Sequence, residues 1–221
     1  MMCIIQYDDR NSIAIIAIPI TGIRLMRYEK GHKETTRRRI IETAAERFRK
    51  EGIANVGVAN LMSEIGLTQG GFYNHFESKD DLTREALAVG QGRMRERWLK
   101  VSSKTGRPNL EELINGYLST SHRDNVGNGC MLATLAIEAG RAEGPVRAQL
   151  TDSIKEMVKL VGSVLPESLK PKQREANARA VVSCLIGTMI LARAMDDPEM
   201  SDRFLESGRR VALVVAEAAA L

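Results

Sequence analysis

Cysteine is scarce in this 221-residue chain: Cys3, Cys130 and Cys184, widely and irregularly spaced. Such spacing excludes a zinc-finger pattern and a disulfide framework, and a reducing cytoplasm is the natural setting for it. Long apolar runs are missing too. The longest candidate, Ile13 to Ile23, is interrupted by Pro19 and Gly22 and falls short of the roughly 18–20 apolar residues a membrane span needs, so no membrane partner is expected. Asp8, Asp9 and Arg10 stand where a secretory signal would be basic, and no small-residue cleavage site follows. The chain also lacks the common catalytic signatures: there is no G-x-S-x-G, Walker loop, H-E-x-x-H or dinucleotide fingerprint. The three histidines (32, 75 and 122) are scattered, leaving Cys130 and His122 as the one conceivable nucleophile–base pair. Neither an enzyme nor a metal or cofactor site is expected. Internal repeats and low-complexity stretches are absent.

What the chain does have is 43% apolar residues, ample for a packed core, and a length that allows one or two domains. Its net charge is only +4, but the charge is unevenly placed. Residues 27–51 hold nine Lys/Arg against five Glu, so this segment alone is +4 and the remainder is close to neutral. A basic end on a neutral body suits a chain that meets phosphate at one end. A solvated helix face is the plainer account of such a cluster taken alone.

The pattern is helical throughout. A first helix is expected from about His32 to Glu51, with Ile40, Ile41, Ala44, Ala45 and Phe48 on one face and Gly52 ending it. Val58, Leu61, Met62 and Ile65 then recur at helical spacing, and Gly66 stops them. Val56-Gly57 offers this short helix no side-chain cap, whereas Thr68 can cap the one that follows. That next helix buries Phe72 and Phe76 and turns out Gln69, Gly71, Asn74 and His75. Two short helices and a glycine turn make a helix-turn-helix, whose second helix would lie in the DNA major groove. Gln69 matches the edge of adenine, and Asn74 and His75 have shorter polar reach. Gly70 and Gly71 are poor helix formers; close approach to DNA would explain them, as would tolerated loss of helix stability. No Lys or Arg lies in this helix.

Ser78 should cap a fourth helix running to about Val101, with Gly90 and Gly92 inside it as a hinge or a close crossing. Further helices are expected from Asn109 to about His122, from Asn128 or Gly129 to Arg141, from Pro145 to about Leu165, from Pro171 to about Met195, and from Pro198 onward. The last two carry wide apolar faces: Ala180, Val181, Cys184, Leu185, Thr188 and Leu191 on one, Phe204, Val211, Val214, Val215 and Ala218 on the other. Trp98, Tyr117, His122, Met131, Leu135, Glu138, Met157, Met189 and Arg193 could line a small-ligand cavity, though most of them also suit ordinary core. Glu138, beside an apolar stripe, could orient a ligand or pair with Arg141. Cys130 is expected at a helix N-terminus, where the dipole would lower its pKa and suit it to sensing oxidants or electrophiles; a small buried side chain is the alternative.

The stretch Gly66-Leu-Thr-Gln-Gly-Gly-Phe-Tyr-Asn-His-Phe76, with Ser78-Lys79 and Leu82, resembles the signature of the tetracycline-repressor (TetR/AcrR-like) transcription regulators. The resemblance covers about Thr36 to Leu87; beyond it only length and helical pattern agree. It implies an all-α chain with a helix-turn-helix DNA-binding domain (27–77) and a helical ligand-binding and dimerisation domain (78–221), preceded by residues 1–26. Family members begin a few residues before the first helix, and Met26 sits at that distance. Residues 1–26 are therefore read as a mis-assigned start or a loose tail, with a strand-like arm over the isoleucines of 13–20 as the alternative. By the same resemblance Tyr73 and Lys79 contact phosphate, Thr68 anchors the recognition helix and Arg37 clamps the DNA backbone. Gln69 stands where the family commonly has lysine, and Gly71 where it has threonine or alanine. The function implied is that of a homodimeric regulator, a repressor released from a palindromic double-stranded operator by a small-molecule effector. A thiol-sensing repressor using Cys130 is the alternative, and a helical adaptor or an enzyme without a recognisable motif is the reading of another class.

Overall fold

The structure is a computed structural model that describes residues 4–7, 13–16, 31–105 and 109–218. It divides into two units, Met1–Glu34 and Thr35–Leu221. In the first, β1 (Ile4–Tyr7) and β2 (Ile13–Ile16) pair antiparallel, with Ile4 opposite Ile16 and Tyr7 opposite Ile13. Isoleucine, branched at Cβ, fits a pleated strand. The described part of this segment thus pairs as two short strands. Cys3, residues 17–20 and Met26, on which the reading of a mis-assigned start rests, lie outside the described residues.

Apart from this hairpin the described elements are helical. They are α1 (His32–Glu51), α2 (Val58–Glu64), α3 (Gln69–Phe72), α4 (Lys79–Thr105), α5 (Leu110–Tyr117), α6 (Thr120–Asp124), α7 (Leu132–Arg141), α8 (Pro145–Gly162), α9 (Pro171–Ala194) and α10 (Pro198–Glu217). Their ends follow local chemistry. Gly52 closes α1 at φ +85°, with its N–H on the Phe48 carbonyl at 2.9 Å. Asn109 caps α5 and Asp197 caps α10, each side chain accepting a first-turn N–H. Proline opens α8, α9 and α10, where its missing N–H costs nothing.

Beyond α4, two boundaries differ most from the sequence reading. The helix expected from Asn109 to His122 is two helices, because Ser119 recaps the chain by accepting the His122 N–H at 3.1 Å. The helix expected to open at Asn128 or Gly129 opens at Leu132. Val126–Asn128 instead form a 3-10 turn, and Gly129 behind it is extended.

One apolar core runs from Ile40 on α1 to Ala216 on α10, continuous across the division expected at residues 77 and 78. Helices α9 and α10 pack along each other, α8 packs on α4, α7 and α9, and α4 continues from the helix-turn-helix into the body. By length and composition α9 is long and apolar enough to cross a membrane, although Ser183, Gly187 and Thr188 interrupt its apolar run. Its Val181, Leu185 and Met189 are nevertheless wholly buried. At its crossing with α10, a Cβ on Gly208 would meet the Thr188 side chain at 2.5 Å, so glycine permits the close approach. The apolar faces predicted for these helices split in two. Val181 and Leu185 turn inward, while Leu191, Val211 and Val214 stay exposed, Val214 at 71%.

Candidate functional site

The helix-turn-helix is assembled from both sides of a glycine. In α2, Leu61 and Met62 are buried, and no side chain caps its start at Gly57. Gly66 takes φ +73°, the left-handed turn that redirects the chain, and Thr68 Oγ1 then accepts the Gly71 N–H at 3.2 Å. Phe72 and Phe76 pin the segment from beneath, both buried, with ring centroids 5.4 Å apart. The regular part of the second helix is only Gln69–Phe72, shorter than the sequence reading had it. Tyr73, Asn74 and His75 continue it as a turn, with the His75 N–H on the Phe72 carbonyl at 2.9 Å. Gln69, Gly70, Tyr73 and Asn74 face outward, Tyr73 at 64% exposure. Gly71 and His75 are half-buried.

The two cations expected at the DNA backbone have partners within the chain. Lys79 Nζ donates to the Ala54 carbonyl at 3.4 Å. Arg37 forms a two-pronged ion pair with Glu85 of α4, its Nη2 lying 2.6 Å from Oε1 and its Nη1 meeting Oε2. Its Nε donates to the His75 carbonyl at 3.3 Å, and its guanidinium lies 4.6 Å over the Phe76 ring. Glu85 escaped the sequence reading. The signal was its place one turn beyond Asp81 on α4, the spacing that puts two carboxylates on one helix face.

Two contacts join the end of α1 to the body. Glu138 of α7 accepts the N–H groups of Ile53 and Ala54 at 2.8 and 2.5 Å. Arg49, buried, donates from Nε to the Gly127 carbonyl at 2.6 Å and from Nη1 to Met131 Sδ at 2.9 Å. Burial first, and then the Arg93 and Arg97 charges, lower its pKa to about 10. Gly90 completes this joint, since a Cβ there would meet Met131 Cγ at 2.2 Å. Of the two glycines inside α4, Gly90 is thus a close crossing, while Gly92 faces open space.

A cavity of about 340 Å³ lies among α4, α5 and α6. Met94, Trp98, Leu113 and Tyr117 supply its apolar walls, and Arg97, Glu112 and Ser121 are among its polar groups. The structure brings together here Trp98, Tyr117 and His122 of the residues expected at a ligand. Met131, Leu135, Met157 and Met189 are core side chains that do not line it, and Glu138 is engaged at the α1 turn. Arg193 holds the end of α6, donating to the His122 and Arg123 carbonyls at 2.7 and 3.1 Å. Leu113 could have been found from the apolar period of Leu110, Leu113, Ile114 and Tyr117, which turns one face of α5 inward, whereas Glu112 lies off that face and gave no such signal.

His122 is wired on both nitrogens. Nδ1 lies 2.6 Å from the Tyr117 carbonyl and Nε2 accepts the Cys130 N–H at 2.9 Å, an arrangement that assigns the neutral, Nδ1-protonated ring. Burial pushes its pKa down to about 4. Cys130 is buried against Tyr117 rather than set at a helix end, because α7 starts later. Burial, and next the neighbouring Cys130 thiol, push the Tyr117 phenol well above its ordinary range. Cys184 is half-buried against the core. Among the described residues no cluster of His, Cys, Asp and Glu could hold a metal ion.

Comparison with known proteins bears on both halves. Residues 40–86 match the family model described as bacterial regulatory proteins, tetR family, and residues 106–207 match that of the tetracyclin repressor-like C-terminal domain. The uncharacterized HTH-type transcriptional regulator YdgC of Bacillus subtilis is 25% identical over 162 residues, 69% of this chain and 76% of that protein. The HTH-type transcriptional regulator TtgR of Pseudomonas putida is 35% identical over 63 residues, 28% of this chain and 30% of that protein. Among solved structures, the TetR-family transcriptional regulator from Cytophaga hutchinsonii superimposes with a TM-score of 0.66 at 20% identity, covering 85% of this chain and 98% of that one.

Proposed function

Since this chain belongs to the TetR family of transcriptional regulators, we propose that it works as a homodimeric repressor whose hold on a palindromic operator is released by a small molecule. The observation that carries the reading is the outward face of Gln69, Gly70, Tyr73 and Asn74, on a segment fixed by the Thr68 cap and the buried Phe72 and Phe76. A polar face on a rigid support is what base-edge recognition needs. Gln69 and Asn74 present amides to the groove, and Tyr73 presents a hydroxyl to phosphate. Thr68, Gly71, His75 and Lys79 shape and support the same surface. Residues 27–77 and 78–221 form the two functional halves, although one core runs through both.

One such segment reads too little DNA to be selective, so two copies are needed. The exposed Leu191, Val211 and Val214 of α9 and α10 form the face on which a second copy would pack, burying apolar side chains now in water. The cavity bounded by Trp98, Tyr117, Leu113 and Glu112 is the effector site. From there a route leads through His122 to Cys130 and on to Gly127 and Met131, which Arg49 grips from α1. An effector that displaced α6 would be felt at the base of the head. Linkage requires that operator DNA weaken that effector's binding by the same factor. The setting is the compartment that holds the DNA.

The test is DNA binding itself. Gln69→Ala and Tyr73→Phe, each checked for native folding, should weaken binding to an operator selected by the parent protein. Unchanged mobility-shift affinity for both would count against this face as the reader.

A further inference from the structure

Arg37 is engaged within the chain on both its edges and one flat face. Its guanidinium grips the Glu85 carboxylate with two nitrogens, its Nε reaches the His75 carbonyl at 3.3 Å, and its plane covers the Phe76 ring at 4.6 Å. His75 and Phe76 are the last residues of the recognition segment, and Glu85 lies in the second turn of α4. The ion pair is substantially shielded, with side-chain exposures of 26% for Arg37 and 19% for Glu85. Arg84 braces the same carboxylate, its Nη2 lying 3.0 Å from Glu85 Oε1 and 2.8 Å from Asp81 Oδ1. A planar, fork-shaped guanidinium holds a carboxylate in one orientation, which a lysine at this position could not do.

We propose that Arg37 and Glu85 are positioning residues for DNA recognition: together they lock the end of the recognition segment to α4 and so fix the angle at which Gln69 and Asn74 meet the groove. This inference rests on the DNA-binding reading and concerns how that surface is set. Glu85 draws Arg37 back from solvent, and the pair links the head to the one helix that continues into the effector domain. A displacement of α4 would carry Glu85 with it, and through Arg37 the recognition segment.

Removing the Glu85 charge separates this role from that of a phosphate clamp, because the two predict opposite signs. If Arg37 holds phosphate, Glu85→Gln frees it and operator binding tightens. If Arg37 positions the segment, Glu85→Gln weakens operator binding by about tenfold. Glu85→Asp, which keeps the charge but shortens the reach, should weaken binding in the same direction. The salt dependence supplies a second readout. Losing a phosphate contact lowers the slope of log affinity against log salt by about 0.9, whereas losing a positioning residue leaves it unchanged. The experiment uses the full-length chain and an operator selected by the parent protein, with circular dichroism confirming the fold of each variant. Weaker binding by both Glu85 variants, with an unchanged slope for Arg37→Gln, is the result expected. Tighter or unaltered binding by Glu85→Gln would overturn the inference and leave the DNA-binding reading standing. Failure of the parent protein to select any DNA would overturn both.

Discussion

Glu138, on α7, accepts both backbone N–H groups of Ile53 and Ala54, at the turn that follows α1, at 2.8 and 2.5 Å. One carboxylate thus closes a turn in the head from a helix of the body, some 85 residues further along the chain. Hydrogen bonds to a charged acceptor are stronger than neutral ones, and two stranded donors are costly. Glu138→Ala should lower the unfolding free energy by about 1–3 kcal/mol, and Glu138→Gln by less, because its amide oxygen can still accept. Urea denaturation of the three proteins measures this. Equal midpoints would show that the contact contributes nothing to stability.

The glycines of α4 should part company on mutation. At Gly90 a new methyl would strike Met131 Cγ at 2.2 Å and approach the Arg49 guanidinium at 3.4 Å, whereas at Gly92 it meets nothing within 4 Å. Gly90→Ala should destabilise by roughly 1–3 kcal/mol. Gly92→Ala should stabilise by up to about 1 kcal/mol, through helix propensity alone. Melting temperatures displaced in opposite directions are the expected result. A stabilising Gly90→Ala would mean that the crossing is loose.

Acidification should act through His122. Its ordinary pKa of 6.5 is lowered to about 4 in the fold, so between those values the unfolded chain binds the extra proton and the folded chain does not. Stability contributed by the neutral ring is therefore complete above the unfolded value and declines as pH falls toward the folded one. From pH 7 to pH 5 the loss should be about 2 kcal/mol. Chemical denaturation at the two pH values, repeated with His122→Gln, measures it. The variant should show a flatter decline, and an equal decline would assign the effect to other groups.

The paired glycines of the recognition segment give a fourth test. A Cβ at Gly70 meets nothing within 4 Å, and one at Gly71 meets only Thr68 Oγ1 at 3.5 Å and Met62 Cε at 3.9 Å. Packing in the free protein therefore requires neither glycine. Gly70→Ala should leave the melting temperature the same or higher, by up to about 1 kcal/mol of stability, while weakening operator binding. Loss of both together would point to a structural need for the glycine, and loss of neither to a surface not pressed against DNA.

Much of the fold was legible because its punctuation is local. Gly52, Gly66, Pro145, Pro171 and Pro198 set helix ends through backbone chemistry that needs no tertiary information, and the apolar period of α1 named its buried face correctly. Legibility failed where distant contacts decide. The chain breaks at Leu118 because the Ser119 hydroxyl takes up the His122 N–H, and α7 starts late because a 3-10 turn comes first. Glu138 sits beside an apolar stripe, as a ligand-facing carboxylate would, yet its partners are backbone groups of another helix's turn. Arg37 precedes the core face of α1 like an outward cation, and only the fold brings Glu85 to it. Met131, Leu135 and Met189 show the converse: helical spacing marks them as inward-facing but does not distinguish core from cavity wall.

The most direct test of the account is selection of DNA by the purified full-length protein from a random duplex pool, at near-physiological salt. The account predicts enrichment of a palindrome with two half-sites about 10 base pairs apart, centre to centre, or a multiple of that spacing, bound by a two-fold dimer. The same site should bind more weakly to Gln69→Ala. Failure to enrich any sequence, or equal retention of all duplexes with the salt dependence of simple charge attraction, would contradict it.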